Sequence, residues 1–532
     1  MRHRRASGIL LHPTSLPSPF GVGDLGPTSE AFIDFLGETG QHWWQMLPLG
    51  PAGGSHSPYQ SHSSFAGNPL IISPERMLAR GFLGEEDLPE PPPYAGPEVR
   101  IDFDEVGRFK ERLLRTAFAR FDPSSHPTFE FFASTQASWL DDFALFMALK
   151  SEHGGRPWYE WEPELATRKP EALALAVGRH EAEVRYHRFV QYIFFLQWQE
   201  MRDYCRNRGI ELIGDLPIYV AEDSADVWAR PDLFQLDIFG RPTVVAGVPP
   251  DLFSPEFGQR WGNPLYKWEA HKAEHYAWWF ARLRATIDRV DLVRLDHFRA
   301  FEAYWEVPAS SPTAAVGRWV EAPGEEFLTE LRQHLGGLPL IAEDLGVITD
   351  KVERLRDDFG LPGMKILQFA FGASGQDEQY LPHCHIPHCV VYTGTHDNDT
   401  TVGWYYMTPG GTGQSDEQII EEREFVRRYL GPIDEPIHWA LIRMAFASVA
   451  DTVIVPLQDV LGLGSNARMN VPGDATGHWG WRFEFSQLTP EVRSRLAELC
   501  LVYGRWNGEV PPNMRRTPGT ETVNPSVNPM VS

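Results

Sequence analysis

Short apolar runs that end in Gly, Pro, Asp or His recur along the chain and alternate with longer stretches of helical periodicity, the pattern of β/α units built on a parallel sheet. Eight such runs stand out, at 8–11, 42–49, 211–220, 291–295, 338–342, 364–371, 389–395 and 452–457. Each carries polar residues crowded at its C-terminal end. Eight strands so marked predict an α/β fold, a (β/α)8 TIM barrel whose active site lies at that face. The clearest is RVDLVRLDHFRAF from Arg289, where β-branched and apolar positions run into Arg294, Asp296, His297 and Arg299. Side chains alternate along a strand, so Arg294 and Asp296 fall on one face, a guanidinium beside a carboxylate.

The spacing between runs is uneven. Residues 50–209 are far more than one crossover helix, and helical patterns at 108–121, 140–152 and 181–206 predict a mostly helical inserted lobe. A second insertion, 221–268, holds AGVPPDLFSPEFGQRWGNPLYKW, a stretch rich in Pro, Gly and aromatics that reads as a lid or binding loop over 246–268. The catalytic barrel with its insertions spans 1–510, and the tail 511–532, without periodicity, predicts disorder.

Charge narrows the partners. With 48 basic against 72 acidic residues the formal net charge is -24, which repels nucleic acid and anionic membranes and leaves neutral ligands open. Aromatic residues make up 12% of the chain, with 18 Trp, and flat rings suit sugar faces. Four cysteines are too few for a disulfide framework, the apolar run at 9–11 is too short for a signal peptide, and no window approaches the ~20 apolar residues of a membrane span. These predict a soluble cytoplasmic protein.

Three acids follow successive strands: Asp296, Glu343 in LIAEDLG and Asp397 in TGTHDNDT. One such acid alone reads as a helix N-cap. Three converging at a barrel mouth, beside His297, His396 and Asn398, suit glycoside cleavage by retention, which needs a nucleophilic carboxylate and a second carboxyl that donates and then accepts a proton. Arg294 is expected to keep Asp296 ionised, and the apolar approach to Glu343 to hold it protonated. Asp215, a fourth strand-end acid, either bonds sugar hydroxyls or braces the barrel. The stretch HCHIPHC at 383–389 lacks the second ligand pair of a zinc site, so no metal is expected. No phosphate-binding glycine motif follows a strand, and no G-x-S-x-G is present.

RLDHFRAF, IAEDLG and THDND resemble the conserved regions of the α-amylase clan. Together with AGVPPDLFSPEFGQRWGNPLYKW, GDLPIYV and LGLGSNARMNVPGDATGHWGWR, they make the chain similar to amylomaltases, the 4-α-glucanotransferases, from His12 to Phe483. The resemblance implies a barrel without a separate C-terminal β-domain, no cofactor, and Asp296 as nucleophile, Glu343 as acid/base and Asp397 as transition-state stabiliser. It implies a donor subsite lined by Tyr59, Asp215, Arg294, His297 and His396. The expected partners are α-1,4-glucans and maltooligosaccharides, with glucose as an acceptor. On the acceptor side, Leu252, Phe253 and Trp261 are the apolar candidates and Gln259 and Asn263 the polar ones, or these residues pack the loop onto the barrel. Leu252 stands where the family carries an aromatic. A hydrolase using the same acids and an inactive glucan-binding protein remain alternatives.

Overall fold

The computed structural model describes residues 5–88, 100–251, 254–372, 377–407, 415–474 and 477–510. The predicted tail and the lid residues Leu252 and Phe253 lie outside them. Among the described residues twelve strands form, in chain order: β1 (Ala6–Leu10), β2 (Trp43–Gln45), β3 (Glu211–Leu216), β4 (Val244–Val248), β5 (Gln259–Pro264), β6 (Leu292–Leu295), β7 (Ala303–Pro308), β8 (Arg318–Glu321), β9 (Leu340–Ala342), β10 (Gly363–Ile366), β11 (Cys389–Tyr392) and β12 (Thr452–Pro456).

Eight of these close a parallel barrel in the order β1, β12, β11, β10, β9, β6, β3, β2. They are the eight runs read from the sequence. Most of the read runs overshoot at their C-terminal ends, most of all after β2, β3 and β10. There Met46, Leu47, Leu367 and Phe371 stay buried while the backbone leaves the ladder to build the mouth. β1 and β2 approach closely because residue 8 is glycine: a Cβ there would stand 2.4 Å from that of Trp43, its partner in register.

The opposite end is closed by Arg505. Its guanidinium is fully buried and donates to the carbonyls of Ala6, Phe446, Ser448, Ala450 and Asp451, with bonds of 2.9–3.3 Å.

Between β2 and β3 the described residues form helices at Pro74–Ala79, Phe103–Arg120, Pro127–Thr135, Ala137–Glu152, Pro163–Ala166, Pro170–Arg179 and Glu181–Asn207. The last is amphipathic and packs one side against Ala137–Glu152, Phe194 and Trp198 among its buried residues. Trp158 ties this segment to the barrel mouth, donating from Nε1 to the carbonyl of Glu222 at 2.8 Å.

The remaining four strands form an antiparallel sheet, β5-β4-β7-β8, which the sequence reading did not anticipate. It corrects the reading of 246–268 as one loop. Val244–Val248 pairs with Ala303–Pro308, and Gln259–Pro264 pairs back on it, so only 249–258 is left as the connection. The sheet is assembled from the connections that follow β3 and β6, and it therefore stands over the strands that carry Asp215 and Asp296. No described helix is long and apolar enough to cross a membrane.

Candidate active site

The mouth is organised by Arg294. Asp215 and Arg294 are partners in register on β3 and β6, so both point to the same side at the same height. Arg294 Nη1 meets both oxygens of Asp215 at 2.8 Å and Oδ1 of Asp296 at 3.0 Å. Asp215 in turn accepts from the Tyr59 hydroxyl at 2.6 Å. Tyr59 stacks on His396, with ring centroids 5.2 Å apart and planes within 13°, and Trp479 leans on both rings.

Glu343 follows β9 directly. Its Oε2 accepts from the His297 backbone N–H at 2.6 Å and its Oε1 from that of Leu345 at 3.0 Å. His297 presents that N–H from a left-handed backbone, φ 50°, a conformation uncommon for a non-glycine residue. The neighbouring Asp344 faces away into the structure, where it accepts from Met364 N at 2.7 Å and pairs with Arg356 at 2.5 Å. It pins the end of β9 to β10.

Asp397 sits five residues beyond β11, on a turn. Asn470 Nδ2 donates to its Oδ1 at 2.6 Å, Arg468 Nη2 donates to its backbone carbonyl at 2.6 Å, and His396 Nε2 lies 3.4 Å from its Oδ2. The three expected catalytic acids thus share one mouth with Tyr59, Asp215, Arg294, His297 and His396.

The acceptor-side candidates divide. Trp261 meets His297 edge-on, with centroids 4.8 Å apart. Gln259 links Asp251 to that tryptophan, donating to Asp251 Oδ2 at 2.6 Å and accepting from Trp261 Nε1 at 3.1 Å. Asn263 is buried and its amide braces loops, donating to the Val220 carbonyl at 2.8 Å and accepting from Gln60 at 3.3 Å. Leu252 and Phe253 are outside the described residues.

Three residues here escaped the sequence reading: Arg468, Asn470 and Trp479. All come from LGLGSNARMNVPGDATGHWGWR, whose resemblance to the family was legible but whose lack of periodicity gave no way to aim a side chain. The 383–389 stretch spends its polar groups singly: His383 on Tyr429, His385 on the Tyr380 carbonyl, His388 on the Gly360 carbonyl and Cys389 on the Ile386 carbonyl. Among the described residues no three His, Cys, Asp or Glu side chains gather as a metal site.

The electrostatics correct one expectation. Arg294 does pull Asp296 toward ionisation, but loss of solvation and the charges of Asp215, Glu343 and Asp397 win, and the Asp296 carboxyl is pushed up to about 8. Arg294 cannot do more because its strongest contacts go to Asp215. Burial lifts Glu343 to about 6, against Arg294 and its two backbone donors, which agrees in direction with the expected general acid. Burial drives His297 down to about 3, so it is neutral, and it lowers His396 as well. Burial and Asp215 raise the Tyr59 phenol, which keeps its proton. One cation facing this many carboxyls retains a proton within the Asp296–Glu343 pair near neutral pH.

A closed parallel barrel with such a carboxyl pair at its C-terminal mouth belongs to the class of (β/α)8 enzymes that act on glycosidic bonds. A match to the 4-alpha-glucanotransferase family, glycoside hydrolase family 77, runs over residues 11–489, and the chain belongs to that family. The 4-alpha-glucanotransferase of Synechocystis is 49% identical over 95% of this chain and 99% of its own length. That of Thermus thermophilus is 49% identical over 93% and 98%. Amylomaltase from Streptococcus agalactiae, solved in complex with acarbose, superposes with a TM-score of 0.89 at 36% identity and covers 95% of this chain and 100% of its own.

Proposed function

We propose that this enzyme cleaves an α-1,4-glucan, holds the non-reducing fragment on Asp296 as a glycosyl ester, and passes it to the 4-hydroxyl of glucose or another maltooligosaccharide. The observation that carries the reading is the contact of Arg294 with both Asp215 and Asp296 beside Glu343, which leaves the pair one proton to work with. In the first step the Asp296 carboxylate attacks the anomeric carbon while Glu343 gives its proton to the departing glycosidic oxygen. In the second, the ionised Glu343 takes the proton of the incoming hydroxyl and Asp296 leaves. Two displacements at one carbon retain its configuration.

Positive charge develops at the anomeric centre in the transition state of each step, and the Asp397 carboxylate, fixed by Asn470, is suited to face it and to bond sugar hydroxyls. Tyr59 and the neutral imidazoles of His297 and His396 supply flat, uncharged surfaces for the same ring. Trp261, held through Gln259 to Asp251, borders the acceptor side. A sugar seated against it displaces water and favours transfer over hydrolysis. The helical segment 50–209 and the segment 221–268 are proposed as the insertions that wall this cleft, and four free thiols accord with a reducing compartment.

Incubation with maltotriose tests the reading. Glucose and chains longer than the donor are expected together. Reducing ends that rise steadily without longer chains would make it a hydrolase, and no turnover would make it a binding protein.

A further inference from the structure

Asp397 stands in the middle of a turn whose two ends meet on one side chain. The turn runs from Thr393, the residue after β11, to Thr401, which opens the helix Thr401–Tyr406. Asp459, three residues beyond β12, lies between those ends. Its Oδ2 accepts from the Thr393 hydroxyl at 2.5 Å and its Oδ1 from the Thr401 backbone N–H at 2.6 Å. Asp459 is 1% exposed, and both threonines are fully buried.

Both partners donate, so the group between them must accept twice. A carboxylate does this with one oxygen for each end, whereas an amide of the same shape has one acceptor and turns an NH2 toward the other donor. Among the described residues Asp459 makes no ion pair, and burial, with the like charge of Asp399 behind it, pushes the carboxyl up against its bonds from Thr393 and Thr401. A buried carboxyl that faces no cation costs stability. What it provides in return is a fixed separation between the two ends of the turn.

The segment after β12 also supplies the contacts along the turn. Ser465 donates to Asp399 Oδ2 at 2.7 Å, and Arg468 and Asn470 reach the carbonyl and the carboxylate of Asp397 at 2.6 Å each. Within the turn, Asn398 Oδ1 accepts from Thr395 N and Oγ1, both at 2.9 Å. These contacts hold points along the turn; Asp459 holds its ends to each other. The Asp397 side chain remains 36% exposed, so its aim depends on the backbone beneath it as well as on Asn470.

We propose that Asp459 is a positioning residue for glycosyl transfer, which acts through Asp397 by closing the two ends of the turn that carries it. The proposal rests on the role given to Asp397 above. An electrostatic stabiliser works by standing in place before charge develops, and a misplacement of about 1 Å can cost on the order of a hundredfold in rate.

Fluoride release from α-glucosyl fluoride by the full chain, with glucose as acceptor, tests it. Asp459→Asn should lower kcat about tenfold to a hundredfold while KM stays within about twofold. In an Asp397→Asn background the same substitution should change kcat by less than about twofold, because no carboxylate is left to misplace. A mere support of the barrel would cost the same in both backgrounds. Thr393→Val opens one end only and should lose about threefold to tenfold, while Thr393→Ser keeps the hydroxyl and the wild-type rate. This pair, read in both backgrounds, decides the matter should Asp459→Asn not fold. A wild-type rate in Asp459→Asn or Thr393→Val, or an undiminished loss in the Asp397→Asn background, would overturn the clamp. Asp397→Asn at the wild-type rate would overturn the role of Asp397 itself, and the proposal with it.

Discussion

Asp215 and Arg294 face each other in register across β3 and β6, and both Asp215 oxygens lie 2.8 Å from the same guanidinium nitrogen that reaches Asp296. Asp215 is thereby a competitor for the cation as well as a neighbour of like charge. Asp215→Asn removes that charge and gives Arg294 to Asp296 alone, so the Asp296 and Glu343 carboxyls should both release protons at lower pH. Both limbs of the pH profile of kcat/KM are expected to move toward acid by about one unit. The rate at the optimum should fall, because the Tyr59 hydroxyl loses its charged acceptor. Limbs that stay in place would show that Arg294 is not divided between the two acids.

The working form holds one proton on the pair, with Asp296 ionised and Glu343 protonated, the less populated of the two one-proton forms because the Asp296 carboxyl is raised further than that of Glu343. Carboxyls raised to about 6 and about 8 give a bell-shaped kcat/KM between those values. Below the lower limb both are protonated and no nucleophile exists; above the upper limb both are ionised and no acid exists. With α-glucosyl fluoride, whose leaving group needs no proton, Glu343→Gln should keep formation of the glycosyl ester. It should show only the acidic limb, because at that limb Glu343 is already protonated and the neutral Gln stands in for it. An alkaline limb that persists in this variant would assign the acid elsewhere.

Asn470 acts on the reaction through Asp397. Its Nδ2 donates at 2.6 Å to the carboxylate oxygen, a charge-assisted bond at a partly buried site. Asn470→Ala should cost ~1.5–3 kcal/mol of transition-state stabilisation, roughly tenfold to a hundredfold in kcat/KM, with the melting temperature held. Asn470→Asp places like charges in contact, so its loss should be larger at neutral pH and shrink as pH falls and one of the two carboxyls takes up a proton. Equal activity of Asn470→Ala and wild type would make the contact incidental.

The barrel and its acids were legible because each strand is an apolar run that ends at a charged or polar residue, and Asp296, Glu343 and Asp397 all fall within five residues of such an end. The four-stranded sheet was not. β8, Arg318–Glu321, has no buried residue, and β4 is embedded in a Pro- and Gly-rich stretch that reads as loop. Its pairing with β7 joins residues 58 apart, Gly247 with Trp305, to 64 apart, Val244 with Pro308, and no local pattern reports such a partner. The charge state of Asp296 was misjudged for a related reason: adjacency in sequence shows that Arg294 is near it, but only the register of β3 shows that Asp215 takes a share of the same cation.

Arg505 offers a stability test separate from the chemistry. Five carbonyls from the N-terminal end of the barrel converge on it, those of Ala6, Phe446, Ser448, Ala450 and Asp451, and burial and the like charge of Arg5, against the weaker pull of Cys500 and Asp451, bring the guanidinium down to about 9. Arg505→Met fills much of the same space but takes a donor from each of these acceptors in a site that water reaches poorly; Phe446 and Ser448 keep the Arg5 guanidinium and Asp451 keeps the Ala6 N–H. The loss should be ~3 kcal/mol or more, read as a lower urea midpoint at an unchanged slope. Because the folded-state value lies below the ordinary value of an arginine, the wild type should also lose stability as pH falls through about 9, where folding holds the charge less readily than the open chain, and the variant should lack that component. The site lies at the opposite end of the strands from Asp296, so kcat for transfer by the folded variant should match wild type. A variant as stable as wild type would show that the carbonyls are satisfied without the guanidinium.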